Sequence, residues 1–186
     1  MATFSSSSRR RFVRQTGLWM LAGALYPVTA SVQAAMPRKA RHLMLEHLHT
    51  EEKLSLVYAI DDQYLPSALK RLDYFLRDHY TQQVGPIDPT LFDLLYQTQQ
   101  ILGCQQPFQV ISGYRCPATN DQLRENGGGG VARRSLHMTG RAIDIRLAEI
   151  ALPDLREAAI SLKAGGVGFY PREQFVHLDT GKVRYW

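Results

Sequence analysis

Residues 135–146 read Ser135-Leu136-His137-Met138-Thr139-Gly140-Arg141-Ala142-Ile143-Asp144-Ile145-Arg146. The first half carries a histidine but no apolar period, which makes it a loop, and Gly140 permits a turn into the second half. From Ala142 onward the two-residue period of a strand puts Ile143 and Ile145 on one face and Ala142 and Asp144 on the other. A carboxylate therefore stands on the side away from the apolar core. The same reading applies to Phe175-Val176-His177-Leu178-Asp179. Val176 and Leu178 face inward, and His177 and Asp179 project together from the opposite face.

Working outward, Pro153 to Lys163 is predicted to be a helix closed by Gly165-Gly166, and Val167 to Tyr170 a further strand. Upstream, Phe108 to Ser112 reads as a strand and Pro117 to Asn126 as a short helix. The run Gly127 to Gly130 is expected to be a mobile or tightly turned loop, either an inert connection or one that opens beside a cleft. Asp88-Pro89 suits a helix start, since Asp caps free N–H groups and Pro at the first helical position loses nothing. Leu91, Leu94, Leu95, Ile101 and Leu102 supply that helix with an apolar stripe, and Gly103 its exit. Another helix begins near Pro66, with Leu65, Leu69, Leu72 and Leu76 at helical spacing, and stops before Gly85-Pro86. His42 to His49 alternates in polarity, Thr50-Glu51-Glu52 suits a turn, and Leu54 to Ile60 comes next, which predicts an antiparallel hairpin. The economical architecture is an α+β domain, a small antiparallel sheet with helices packed on it.

The chain has 186 residues, 45% of them hydrophobic and 21% charged, which excludes disorder, collagen and coiled coil. Its 22 basic against 17 acidic residues give a net charge of +5. Four of the basic residues, Arg9, Arg10, Arg11 and Arg14, lie in the first 34 positions, which hold no acid; without them the balance is 18 to 17. A nucleic-acid partner, which the basic excess would otherwise suggest, is not expected. Residues 1–34 read as an export signal. A basic patch precedes the apolar run Gly17 to Leu25, and the small residues Val32-Gln33-Ala34-Ala35 suit a signal peptidase. Ser8-Arg9-Arg10-Arg11-Phe12-Val13-Arg14 resembles the twin-arginine motif, whose pathway carries folded proteins. Pro27, Thr29 and Ser31 interrupt the run short of the roughly 20 apolar residues a spanning helix needs, so membrane contact is expected only in transit. Residues 35–186 then form a single domain, and the expected location is the periplasm. In that oxidising compartment Cys104 and Cys116 either pair or remain free thiols.

His137, Asp144 and His177 are ligands of the kinds zinc takes at a catalytic site, with a fourth position left for water. Spacing alone is a weak warrant, because single histidines on strands are more often hydrogen-bonded than metal-bound. His47 and His49 are two apart on a predicted strand, but no third partner is evident; His42 and His79 read as solvated. Tyr170, Tyr185 and Trp186 either line a groove for glycan or peptide or pack as ordinary aromatics.

Here the sequence resembles a family. The pattern Ser-x-His-x-x-Gly-x-Ala-x-Asp with a later His is that of the zinc peptidases related to D-Ala-D-Ala carboxypeptidases and VanY, in the wider superfamily with lysostaphin-type enzymes. Ile111-Ser112-Gly113-Tyr114-Arg115, the Ser135 to Asp144 segment, and Gly165 to Pro171 leading into Phe175 to Gly181 look like the periplasmic murein endopeptidases of MepK type. The resemblance runs from about His42 to Trp186. It implies the zinc-peptidase fold shared by hedgehog and D-Ala-D-Ala peptidases, His137, Asp144 and His177 as ligands of Zn2+, and peptidoglycan peptides as the partner. Two neutral imidazoles and one carboxylate leave such a site with one net positive charge, enough to polarise a carbonyl and bring bound water toward a pKa of about 7. Arg115 matches the family's Ser-x-x-Arg arginine, for an oxyanion or a substrate carboxylate; its alternative is a structural salt bridge. VanY-like relatives carry an acid three residues before the last His, but Gln174 stands there and cannot accept a proton. Asp179 and Glu173 are the candidate general bases, Asp179 preferred because it shares a face with His177, with orientation of His177 as its alternative role. Ser135 and Tyr170 are candidates for substrate contact, Ser135 alternatively supporting the ligands.

The expected function is zinc-dependent hydrolysis of amides in peptidoglycan cross-links. The alternatives are a carboxypeptidase releasing a D-amino acid from stem peptides and a zinc-containing module that binds murein without cutting it.

Overall fold

Alternating apolar residues and the turns between them produce one sheet flanked by helices in the computed structural model, which describes residues 39–126 and 131–186. The expected export signal over residues 1–34, with its twin-arginine motif, and the loop Gly127 to Gly130 lie outside the described residues. Strands β1 (Ala40–His47) and β2 (Lys53–Ile60) form the expected antiparallel hairpin, and β3 (Gln63–Tyr64) extends its edge. Helix α1 (Pro66–Phe75) follows, then α2 (Pro89–Leu102), where Asp88 caps the free Thr90 N–H at 3.0 Å and Gly103 ends the helix in the left-handed region. Strand β4 (Phe108–Ser112) and helix α3 (Pro117–Asn126) match their predicted spans. After a single 3₁₀ turn at Leu136–Thr139 come β5 (Ala142–Arg146), α4 (Leu152–Ser161), β6 (Gly166–Tyr170), β7 (Phe175–Asp179) and β8 (Arg184–Tyr185).

The sheet order is β3-β2-β1-β4-β5-β7-β6-β8. It corrects the expectation of a small antiparallel sheet, because β4 pairs parallel to β1 and β8 parallel to β6, which makes this α+β sheet mixed and eight-stranded. The reason is connection length. Strands joined by a tight turn must run antiparallel, but the segment from β2 to β4 contains α1 and α2 and is long enough to return the chain in the same direction. At the other edge the chain reverses after β7 and lands beyond β6, so β8 runs parallel to its new neighbour.

Leu43, Leu45, Val110, Ile143, Ile145, Val176 and Leu178 are buried in one cluster with Leu72, Leu76, Leu91, Phe92, Leu95 and Leu155 from α1, α2, α4 and the segment after α1. Each such side chain contributes roughly 1.5–3 kcal/mol when removed from water. Asp93 of α2 ties the helix to the hairpin: it accepts hydrogen bonds from Tyr58 at 2.8 Å and Tyr64 at 2.5 Å, and it pairs with Arg41. Cys104 is half-buried and Cys116 buried, and the two stand unpaired. Among the described residues no helix is long and apolar enough to cross a membrane.

The opposite face of the sheet carries the polar residues. Register aligns Ser112 with Asp144, Asp144 with His177, and His177 with Gly168. Directly opposed residues project from the same face, so these form a row across four strands. A bulge between Val110 and Ser112 brings Ser112 into that row.

Candidate metal centre

His137 enters the row from outside the sheet. Ser135 caps the 3₁₀ turn, its Oγ accepting from the His137 backbone N–H at 3.4 Å, and Gly140 ends the turn at φ 64°. The turn places the ring over β5, where its Nδ1 meets the Gly113 carbonyl at 2.7 Å. A carbonyl only accepts, so Nδ1 carries the proton and Nε2 presents a lone pair. That Nε2 lies 3.3 Å from Asp144 Oδ1 and 3.2 Å from His177 Nδ1, and His177 Nδ1 lies 2.8 Å from Asp144 Oδ1. On its far side His177 Nε2 lies 3.2 Å from Asp179 Oδ2, to which it donates.

These distances test whether a metal fits. Ligand atoms at about 2.0–2.2 Å from one tetrahedral ion stand roughly 3.3–3.6 Å apart; the separations of 3.2 and 3.3 Å from His137 Nε2 come close to that spacing, and His177 Nδ1 and Asp144 Oδ1, at 2.8 Å, stand at hydrogen-bond distance instead. Among the described residues this is the one group of three such side chains whose ligand atoms all lie within 4.8 Å of one another. With both outer ring nitrogens occupied as donors, three lone-pair atoms converge on one point, an arrangement that needs a cation. Without one, a proton on His177 takes that place. Burial lowers its pKa, but hydrogen bonds to Asp144 and Asp179 outweigh burial and push it up to about 9. For Asp144, burial acts upward, and the adjoining His137 and His177 outweigh it and hold the carboxyl below the usual range.

Asp179, the preferred candidate for general base, is fully buried. Besides His177, it accepts from the backbone N–H groups of Gly166 at 3.1 Å and Gly181 at 2.7 Å and from the Arg184 guanidinium at 2.6 Å. Burial would raise its carboxyl, but these donors outweigh it and hold the pKa low. A saturated carboxylate behind the ring, on the side opposite the ligand atom, has no path to water near the centre. Its contacts are those of an acceptor that orients His177, the alternative role the sequence allows. Sequence alternation correctly put Asp179 on the His177 face, but sharing a face does not distinguish the front of a ring from its back.

Arg115 is 12% exposed at its side chain, with Nη2 3.3 Å from Ser112 Oγ and 3.7 Å from Asp144 Oδ2. Glu173 is exposed on the turn between β6 and β7. Arg115, Ser135, Glu173 and Tyr170 line one cleft with His137, Asp144 and His177, with a volume of about 450 Å³. A second hollow of about 190 Å³ meets it at Arg115, Asp144 and Phe175.

The second hollow contains a feature that sequence reading missed. His79, expected to be solvated, is half-buried and stacks on His49 with centroids 4.2 Å apart, and it lies 5.6 Å from His47. His47 was expected to lack a third partner; the fold supplies one from the segment after α1. Stacked parallel rings direct their lone pairs side by side rather than at one point, so this cluster does not gather ligands. His42 is half-buried and bonded to Ser55 at 3.0 Å, not free in solvent.

The family model of the peptidoglycan L,D-endopeptidase MepK matches residues 35–186. The chain belongs to the MepK family. The MepK of Escherichia coli (strain K12) is 42% identical over 180 residues, covering 97% of each chain. The probable MepK of Haemophilus influenzae is 37% identical over 184 residues, 98% of this chain and 97% of that one. The MepK match takes in His137, Asp144 and His177 together with Arg115, Glu173 and Asp179, so the whole row described above lies within the shared length.

Proposed function

We propose that this chain is an exported zinc metallopeptidase that hydrolyses amide bonds in peptidoglycan cross-links. The observation that carries the reading is the convergence of His137 Nε2, Asp144 Oδ1 and His177 Nδ1. Membership in a family whose relatives are named peptidoglycan L,D-endopeptidases supplies the substrate class. Two imidazoles and one carboxylate favour zinc over magnesium or calcium, which prefer all-oxygen sets. The leader motif Ser8 to Arg14 supports export by the twin-arginine route to the periplasm.

When bound, the ion supplies Lewis-acid chemistry, polarising the scissile carbonyl and acidifying water. The chain's residues do the rest. Gly113 and Asp179 fix the tautomers and ring angles of His137 and His177. The Arg115 guanidinium donates to the carbonyl oxygen as charge develops on it, from a site where burial strengthens the interaction. Glu173, an acid lining the cleft, takes the proton from the attacking water and returns it to the leaving amine. Ser135 holds the His137 turn, and Tyr170 lines the wall that the substrate passes. Two hollows meeting at Arg115 and Asp144 leave room on both sides of the scissile bond, which supports internal cleavage over removal of a terminal residue.

The test is digestion of purified sacculi followed by mass spectrometry of the products. Cross-linked dimers are expected to become monomers, to persist in the presence of a chelator, and to disappear again on addition of zinc. Release of single D-amino acids with dimers intact would instead establish a carboxypeptidase, and unchanged sacculi with zinc-loaded protein a binding module.

A further inference from the structure

Trp186 is pinned at several points and yet leaves nearly half its surface open. Strand β8 delivers it: its backbone N–H donates to the Val167 carbonyl at 3.2 Å, and its carbonyl accepts from the Phe169 N–H at 2.9 Å. The indole Nε1 donates to Tyr170 Oη at 2.8 Å. Its ring lies over Gly168, the member of the polar row opposite His177, where a side chain would bring a Cβ within 2.7 Å of the indole carbons. Thus the missing side chain at Gly168 is the seat of the ring. The indole centroid is 5.5 Å from that of His177, and the Arg184 guanidinium sits 4.8 Å from it. Tyr170 in turn stacks on Phe175 at 4.6 Å. Trp186 is nevertheless 46% exposed and lines the 450 Å³ cleft.

A freely mobile surface tryptophan would need no explanation. One held by both backbone bonds, its N–H and a dedicated glycine has already lost its conformational freedom, and its open area beside a metal-type centre is a surface prepared for a ligand. We propose that Trp186 is a substrate-binding platform, on which the C–H face of the peptide segment flanking the scissile amide lies. The indole offers a flat apolar face, and its one polar atom is already spent on Tyr170, so the ligand it takes is apolar at that point. The proposal rests on the murein-peptide reading above, and it assigns one wall of the cleft to recognition rather than to chemistry.

The experiment compares Trp186→Ala, Trp186→Phe and Tyr170→Phe with the wild type in two assays. The first is cleavage of purified cross-linked muropeptide dimers. Trp186→Ala is expected to raise KM at least tenfold while kcat changes less than threefold and zinc content is unaltered. Trp186→Phe should recover most of the loss, and Tyr170→Phe, which releases the indole N–H, should raise KM a few-fold. A fall in kcat or in bound zinc at unchanged KM would make Trp186 a support for His177 and overturn the proposal. The second assay is co-sedimentation with intact sacculi in the presence of chelator, which needs no turnover. Binding lost in Trp186→Ala and kept in Trp186→Phe upholds the platform even if the wild type cleaves nothing, in which case only the endopeptidase reading falls. Equal binding by Trp186→Ala and wild type overturns it whatever the activity.

Discussion

His137 Nε2 and His177 Nδ1 face each other at 3.2 Å while the outer nitrogen of each ring is engaged, one with the Gly113 carbonyl and the other with Asp179. Two imidazoles approach this way when something positive lies between them. Asp144, at 2.8 Å from His177 Nδ1, completes the third side. Removing that carboxylate by Asp144→Ala is expected to abolish stoichiometric zinc binding and to reduce kcat at least about a thousandfold, the equivalent of roughly 4 kcal/mol of transition-state stabilisation. Atomic absorption and dimer cleavage measured on the same preparation check it. Full zinc occupancy in the variant would remove Asp144 from the centre.

Glu173 and Asp179 are separable by substitution. Glu173→Gln should keep its zinc, lose between about 10² and 10⁴ in kcat, and lose the acidic limb of the pH–rate profile. If Asp179 orients His177, as its contact with Nε2 suits it to do, Asp179→Asn should instead lower zinc affinity or activity by about 10–100-fold with the acidic limb retained. A vanished acidic limb in Asp179→Asn, with Glu173→Gln active, would reverse the two roles.

Gly140 adopts φ 64°, and a Cβ there would overlap the Pro86 carbonyl oxygen. Backbone oxygen cannot move aside as a side chain can, so Gly140→Ala should destabilise the fold by about 3 kcal/mol or more. Since this turn carries His137, zinc affinity should drop with it. Thermal unfolding of the zinc-free proteins measures the first effect, and an unchanged midpoint would show that the turn can relax.

Burial and the neighbouring His79 and His49 lower the His47 pKa to about 4, against 6.5 for the free side chain. The unfolded chain therefore takes up a proton at a pH where the folded chain does not. Stability is fully present above about pH 6.5 and declines as pH falls toward 4, by about 3 kcal/mol from His47. His79, also lowered to about 4, acts in the same sense. Denaturant midpoints at pH 7.5 and pH 5 for wild type and His47→Gln test it, with a smaller acid loss expected in the variant. An identical loss in both would place the acid sensitivity elsewhere.

Much of this arrangement is legible in the chain itself, because it derives from local geometry. Period-two alternation located Asp144 and His177 on the polar face of their strands, and the pair Asp88-Pro89 and Gly103 bounded α2 as caps do. Neither required knowledge of a partner. The sheet's mixed pairing was not legible, since the direction of β4 against β1 depends on where two intervening helices pack. The placement of Asp179 was half legible: its face was set by alternation, but its position behind His177 came from the approach of Gly166, Gly181 and Arg184.

By itself, then, the sequence determined the kinds of donor, the faces they occupy and the turns that present them, all consequences of backbone periods over a few residues. Tertiary structure alone decided that His137, Asp144 and His177 point at one place, that Asp179 stands behind the ring, that His79 joins His47 and His49, and that Trp186 fills the slot at Gly168. Those are contacts between residues far apart in the chain, fixed by strand register and helix packing, and such contacts leave no signature in local pattern.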